Sequence, residues 1–105
     1  MQLLPTAISR LVQVLAKHPA IDRTVLFGSR ARGGAGPRSD VDLAVEAPTA
    51  SEREWLKVVE IVEGCETLLR IDLVRIEEAS PALRRRIEAE GMVLFDRPEV
   101  TAKPA

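Results

Sequence analysis

The spacing of apolar residues changes several times along the chain, and each change marks an element. Leu4, Ile8, Leu11, Val12 and Leu15 recur at helical spacing, with Pro5 suited to a first turn and His18-Pro19 closing the segment. This predicts an amphipathic helix. Thr24-Val25-Leu26-Phe27 is a short β-prone run ended by Gly28 and reads as a buried strand. From Gly28 to Ser39 the chain carries Gly33, Gly34, Gly36 and Pro37, too many breakers for a long element, although Ser29 to Arg32 has room for one helical turn. Asp40 to Val45 then alternates with period two, so Val41, Leu43 and Val45 share one face and Asp40 and Asp42 the other.

After Pro48, Ser51 and Glu54 make a capping box ahead of Trp55, Val58, Val59 and Val62, a second amphipathic helix that ends near Gly64. Arg70 to Val74 predicts a third strand, with Ile71 and Leu73 facing one way and Asp72 and Val74 the other. Ser80 is an N-cap followed by the first-turn proline Pro81, opening a helix through Leu83 and Ile87 to Gly91. Met92 to Phe95 is a short last strand. The expected fold is α+β with α/β character: a small mixed sheet covered by helices, one domain over residues 1–97 and a flexible tail over 98–105.

Composition narrows the function classes. At 105 residues and 46% apolar, the chain has material for one core. With 15 basic and 16 acidic residues it has no general attraction for nucleic acid or an anionic membrane, and neither direct nucleic-acid binding nor membrane association is expected. Phe27, Trp55 and Phe95 leave little for base stacking. The single Cys65 allows no intrachain disulfide, and no Cys/His set has zinc spacing, so a cytoplasmic location is expected. Tyrosine is absent.

Two aspartates two apart on a strand have Cα atoms about 6.5–7 Å apart on one face, where their carboxylates can converge on a cation. Alone, such a pair is the ordinary solvated face of a half-buried strand. Three features shift the balance. Gly28-Ser29 follows a strand end, where backbone N–H groups and a hydroxyl can hold a phosphate. The glycine-rich stretch up to Ser39 permits close backbone approach to a polyphosphate. Asp72 puts a third carboxylate on a strand face between apolar neighbours. The combination predicts a two-metal site with a donor-rich turn for the β- and γ-phosphates. Elsewhere the plainer readings hold: Arg84-Arg85-Arg86 as a solvated helix face, Trp55 and Cys65 as packing residues.

Gly28-Ser29-Arg30-Ala31-Arg32-Gly33, Ser39-Asp40-Val41-Asp42-Leu43-Ala44-Val45 and Ile71-Asp72-Leu73-Val74 together resemble the Gly-Ser, Asp-x-Asp and third-carboxylate motifs of the polymerase β nucleotidyltransferases. The chain is similar in particular to the minimal nucleotidyltransferases that act as antitoxins of HEPN-domain toxins. The resemblance implies that Asp40, Asp42 and Asp72 are catalytic and bind two Mg²⁺ ions, or Mn²⁺. It also implies that Gly28 and Ser29 hold the triphosphate of ATP and that Arg30 or Arg32 steadies the departing pyrophosphate. The implied reaction moves AMP onto a side-chain hydroxyl, tyrosine foremost, of a partner HEPN toxin. The alternatives are an antitoxin that masks its toxin by binding alone, and a small-molecule nucleotidyltransferase acting on an antibiotic.

Overall fold

The structure, a computed structural model, describes residues 4–34, 36 and 38–97, so the expected tail over 98–105 lies outside the described residues. In chain order the elements are α1 (Thr6–Ala16), β1 (Arg23–Phe27), α2 (Ser29–Arg32), β2 (Val41–Glu46), α3 (Glu52–Glu63), β3 (Ile71–Arg75), a 3-10 turn (Ile76–Glu78), α4 (Pro81–Glu90) and β4 (Met92–Asp96). Pro5 caps α1 rather than entering its first turn. The 3-10 turn has no signal in the apolar pattern, being too short to show a period.

The four strands form one mixed sheet in the order β3-β2-β1-β4. β1 is antiparallel to both β2 and β4, and β2 is parallel to β3. A parallel pair needs a crossover, and α3 supplies it. Ser51 starts α3 with both bonds of the capping box: the Glu54 N–H donates to Ser51 Oγ at 3.1 Å, and the Ser51 N–H donates to Glu54 Oε1 at 2.8 Å. Ser80 caps α4 with a single such bond, its Oγ accepting from the Leu83 N–H at 3.1 Å.

Alternation along the strands then sorts side chains between two layers. Leu26, Val41, Leu43 and Val45 pack with Ile8, Leu11 and Leu15 of α1 and Val58 and Val62 of α3. Val25, Phe27 and Ala44 pack on the other face with Ile87 and Leu83 of α4. One face of the sheet is therefore covered by two helices and the opposite face by one. Asp42 is one pleat from Ala44, on the α4 face.

Two half-buried arginines, Arg75 and Arg97, anchor the loops. Arg75 Nη2 donates to the carbonyls of Ala47 at 2.7 Å and Ala50 at 2.9 Å, and its guanidinium stacks 5.2 Å from the Trp55 ring centroid. Trp55 is thus half-buried packing, as its place on the apolar stripe implies. Arg97 Nη2 donates to the carbonyls of Ala16 and His18, each at 3.0 Å, tying the chain after β4 to the end of α1. Among the described residues no helix is long and apolar enough to cross a membrane.

Candidate active site

β1 delivers the chain to Gly28, whose backbone at φ 78° and ψ −157° lies in a region that L side chains rarely adopt. Space forbids a side chain there as well. A Cβ on Gly28 would overlap the Asp42 carboxylate, so the turn after β1 lies directly against that acid. The turn itself is one helical coil: the Ala31 and Arg32 N–H groups both donate to the Gly28 carbonyl at 3.1 Å, and Gly33 ends it at φ 89°. Ser29 opens this coil and is half-buried.

The strands complete the arrangement. In the register, Asp42 stands opposite Phe27 on β1 and opposite Asp72 on β3. Period-two patterning puts both acids on the same face, and the parallel register puts them side by side. The two carboxyl groups are close enough for each to feel the other's charge. Asp72 Oδ1 also accepts from Arg70 Nε at 3.2 Å. Burial raises the pKa of Asp42, and the negative charges of Asp72 and Asp40 push it further; Arg86 partly offsets them. Asp40 lies just ahead of β2, not within it, and is exposed.

Among the described residues, no group of three or more His, Cys, Asp or Glu side chains is already arranged as a metal cage. The site instead has an excess of negative charge beside a close carboxylate pair. The donors are all carboxylate oxygens, the type that hard cations such as Mg²⁺ and Mn²⁺ take, and a cation would supply the missing positive charge. The residues fit the ion by chemistry; Asp42 and Asp72 would hold it, with Asp40 at the rim.

The two arginines of the turn have different surroundings. Arg30 is only 8% exposed and donates from Nε to the Ser39 carbonyl at 3.0 Å, strapping the turn to the segment that leads into Asp40. Arg32 is exposed and reaches Glu90 Oε1 from Nη1 at 3.1 Å. Arg86 and Glu90, both on α4, belong to none of the sequence motifs. Their signal was the helix period: Leu83 and Ile87 turn to the core, and Arg86 and Glu90 follow four apart on the adjoining strip. Cys65 is half-buried, its thiol lies 3.6 Å from the Ala7 carbonyl, and burial pushes its pKa up, consistent with packing rather than reactivity.

The family profile described as Polymerase beta, Nucleotidyltransferase matches residues 9–100. The chain belongs to this family. Several solved structures share the fold at low sequence identity. A toxin–antitoxin crystal structure with AMP-PNP matches at a TM-score of 0.70 and 21% identity, over 93% of this chain and 79% of that one. The tri-AMPylated HEPN toxin of Shewanella oneidensis in complex with its MNT antitoxin matches at 0.61 and 20%, over 91% and 75%. An MntA–HepT toxin–antitoxin structure matches at 0.60 and 22%, over 86% and 70%. Among curated proteins none matches. The polymerase β-type nucleotidyltransferase fold expected from the motifs is therefore the one observed.

Proposed function

We propose that this protein is an antitoxin that transfers AMP from ATP onto a tyrosine hydroxyl of a partner HEPN-type toxin. The observation that carries the reading is the pairing of Asp42 and Asp72 in register across β2 and β3, directly against the Gly28-Ser29 turn. A carboxylate pair beside a glycine turn suits a polyphosphate and its cations. Support for the partner comes from the shared fold with toxin–antitoxin complexes, one of them containing AMP-PNP and another a tri-AMPylated HEPN toxin. These 105 residues contain no tyrosine, so a tyrosine acceptor lies outside them, as a partner toxin would supply.

In this reading Asp40, Asp42 and Asp72 would hold two Mg²⁺ ions, with Mn²⁺ able to substitute, and the cations would supply charge stabilisation at the phosphates. Ser29 and the backbone at Gly28 hold the triphosphate. Asp72 accepts the proton of the acceptor hydroxyl as its oxygen forms a bond to the α-phosphorus. The bond from that phosphorus to the bridging oxygen of the β-phosphate breaks, and pyrophosphate leaves.

Co-expression with the toxin tests the reading against simple masking. The double variant Asp40→Asn/Asp42→Asn is expected to co-purify with the toxin yet fail to restore growth. Restored growth with the double variant would assign neutralisation to binding alone.

A further inference from the structure

α4 carries three consecutive arginines, but they do not have one environment. Arg84 Nη2 donates to the Glu77 carbonyl at 2.9 Å, back toward the 3-10 turn. Arg86 is exposed, and its positive charge partly offsets the acidic neighbours of Asp42. Arg86 Nη2 is 3.9 Å from Glu90 Oε1, and that same oxygen lies 3.1 Å from Arg32 Nη1. One carboxylate oxygen thus joins two cationic forks, one from the turn that follows Ser29 and one from a helix on the carboxylate side of the sheet. Glu90 is the more sheltered of the three: its side chain is 27% exposed, against 51% for Arg32 and 55% for Arg86.

We propose that Arg32 and Arg86 form a two-pronged seat for the terminal phosphates of the nucleotide, with Glu90 as a placeholder that the polyphosphate displaces. This rests on the nucleotidyltransfer reading above and adds to it a second arginine and a gating acid from α4. The chemistry follows from the charges. Two guanidiniums brought to one point repel each other unless an anion lies between them, and each fork matches phosphate oxygens as well as it matches a carboxylate. A polyphosphate has more charge and more acceptors than Glu90, and the pairs it replaces are partly solvated and weak. Glu90 therefore keeps the two arginines converged in the empty site and yields when the ligand arrives. Arg32 and Arg86 touch the substrate in this arrangement; Glu90 is a positioning residue.

The test is calorimetric titration of the full chain with Mg²⁺–tripolyphosphate, which has no base or ribose, and with Mg²⁺–ATP, each variant's thermal midpoint being checked alongside. Arg86→Gln is expected to weaken tripolyphosphate about five- to tenfold, and Arg86→Lys to recover most of that loss through its charge. Arg85→Gln, on the exposed side of α4, is expected to leave affinity unchanged. Glu90→Gln is expected to tighten binding about two- to fivefold, because the competing charge is gone. A Glu90 that merely docked α4 would give the opposite sign, since loosening the helix weakens the site. Unchanged affinity in Arg86→Gln, or weaker affinity in Glu90→Gln, overturns the seat and leaves the nucleotidyltransfer reading standing. Failure of the parent protein to bind either ligand overturns both.

Discussion

Asp42→Asn is expected to cut nucleotide transfer by about three orders of magnitude, while the thermal midpoint of the metal-free protein stays level or rises by about a few degrees. The two effects have one cause. Asp42 is the innermost of the three carboxylates, set against Gly28 on one side and Asp72 on the other. Its pKa is raised by burial, and further by Asp72 and Asp40. A carboxyl whose folded pKa is raised favours the fold while protonated, and that benefit is lost as pH climbs from the ordinary carboxylate range through the raised value. At neutral pH the ionised group opposes folding, and asparagine removes that opposition. The same excess of charge is what a divalent cation would neutralise, so Mg²⁺ is expected to raise the midpoint of the parent protein and not that of the variant. Measured transfer rates and melting curves with and without Mg²⁺ check both halves. Full activity in Asp42→Asn would remove this carboxylate from the reaction.

Gly28→Ala is expected to lower stability by about 2–4 kcal/mol, a drop of roughly 10–20 °C in thermal midpoint, and to abolish transfer even below the new midpoint. Part of the loss is conformational, from a side chain at φ 78°. The rest is steric, because the new Cβ would displace the Asp42 carboxylate. Gly33→Ala separates the two contributions. Gly33 also has positive φ, at 89°, but a Cβ there meets nothing within 4 Å. Its replacement is expected to cost only the conformational part, about 1–2 kcal/mol, and to keep more of the activity. Equal effects from the two alanines would show that the close approach of the turn to Asp42 is unimportant.

The parts of this site that sequence revealed are those governed by local periods. Period two on β2 and β3 puts Asp42 and Asp72 on the face opposite Leu43 and Leu73, and the glycine turn after Phe27 announces itself by composition. That Asp42 and Asp72 are direct neighbours depends on the parallel register, which the α3 crossover sets, and no local pattern encodes it. Arg30 looks like a surface residue of a polar turn; its burial follows from the return of the chain at Ser39, where Nε finds a carbonyl. The anchoring roles of Arg75 and Arg97 have no local signal for a similar reason, since their partners are backbone carbonyls remote in sequence. Arg86 shares a helix with Arg84 and Arg85, and composition cannot distinguish the three. The packing of Leu83 and Ile87 on the sheet fixes how α4 sits, and of the three arginines it is the charge of Arg86 that acts on Asp42.

The central claim, that AMP moves from ATP to a second protein through these carboxylates, is tested most directly by intact-mass measurement of the partner toxin. The toxin is incubated with this protein, ATP and Mg²⁺, beside the Asp40→Asn/Asp42→Asn control. A toxin heavier by whole AMP units with the parent protein alone is the predicted result, and fragmentation then locates the acceptor tyrosine. A toxin of unchanged mass within a stable, neutralised complex would contradict the claim and assign the antitoxin role to binding.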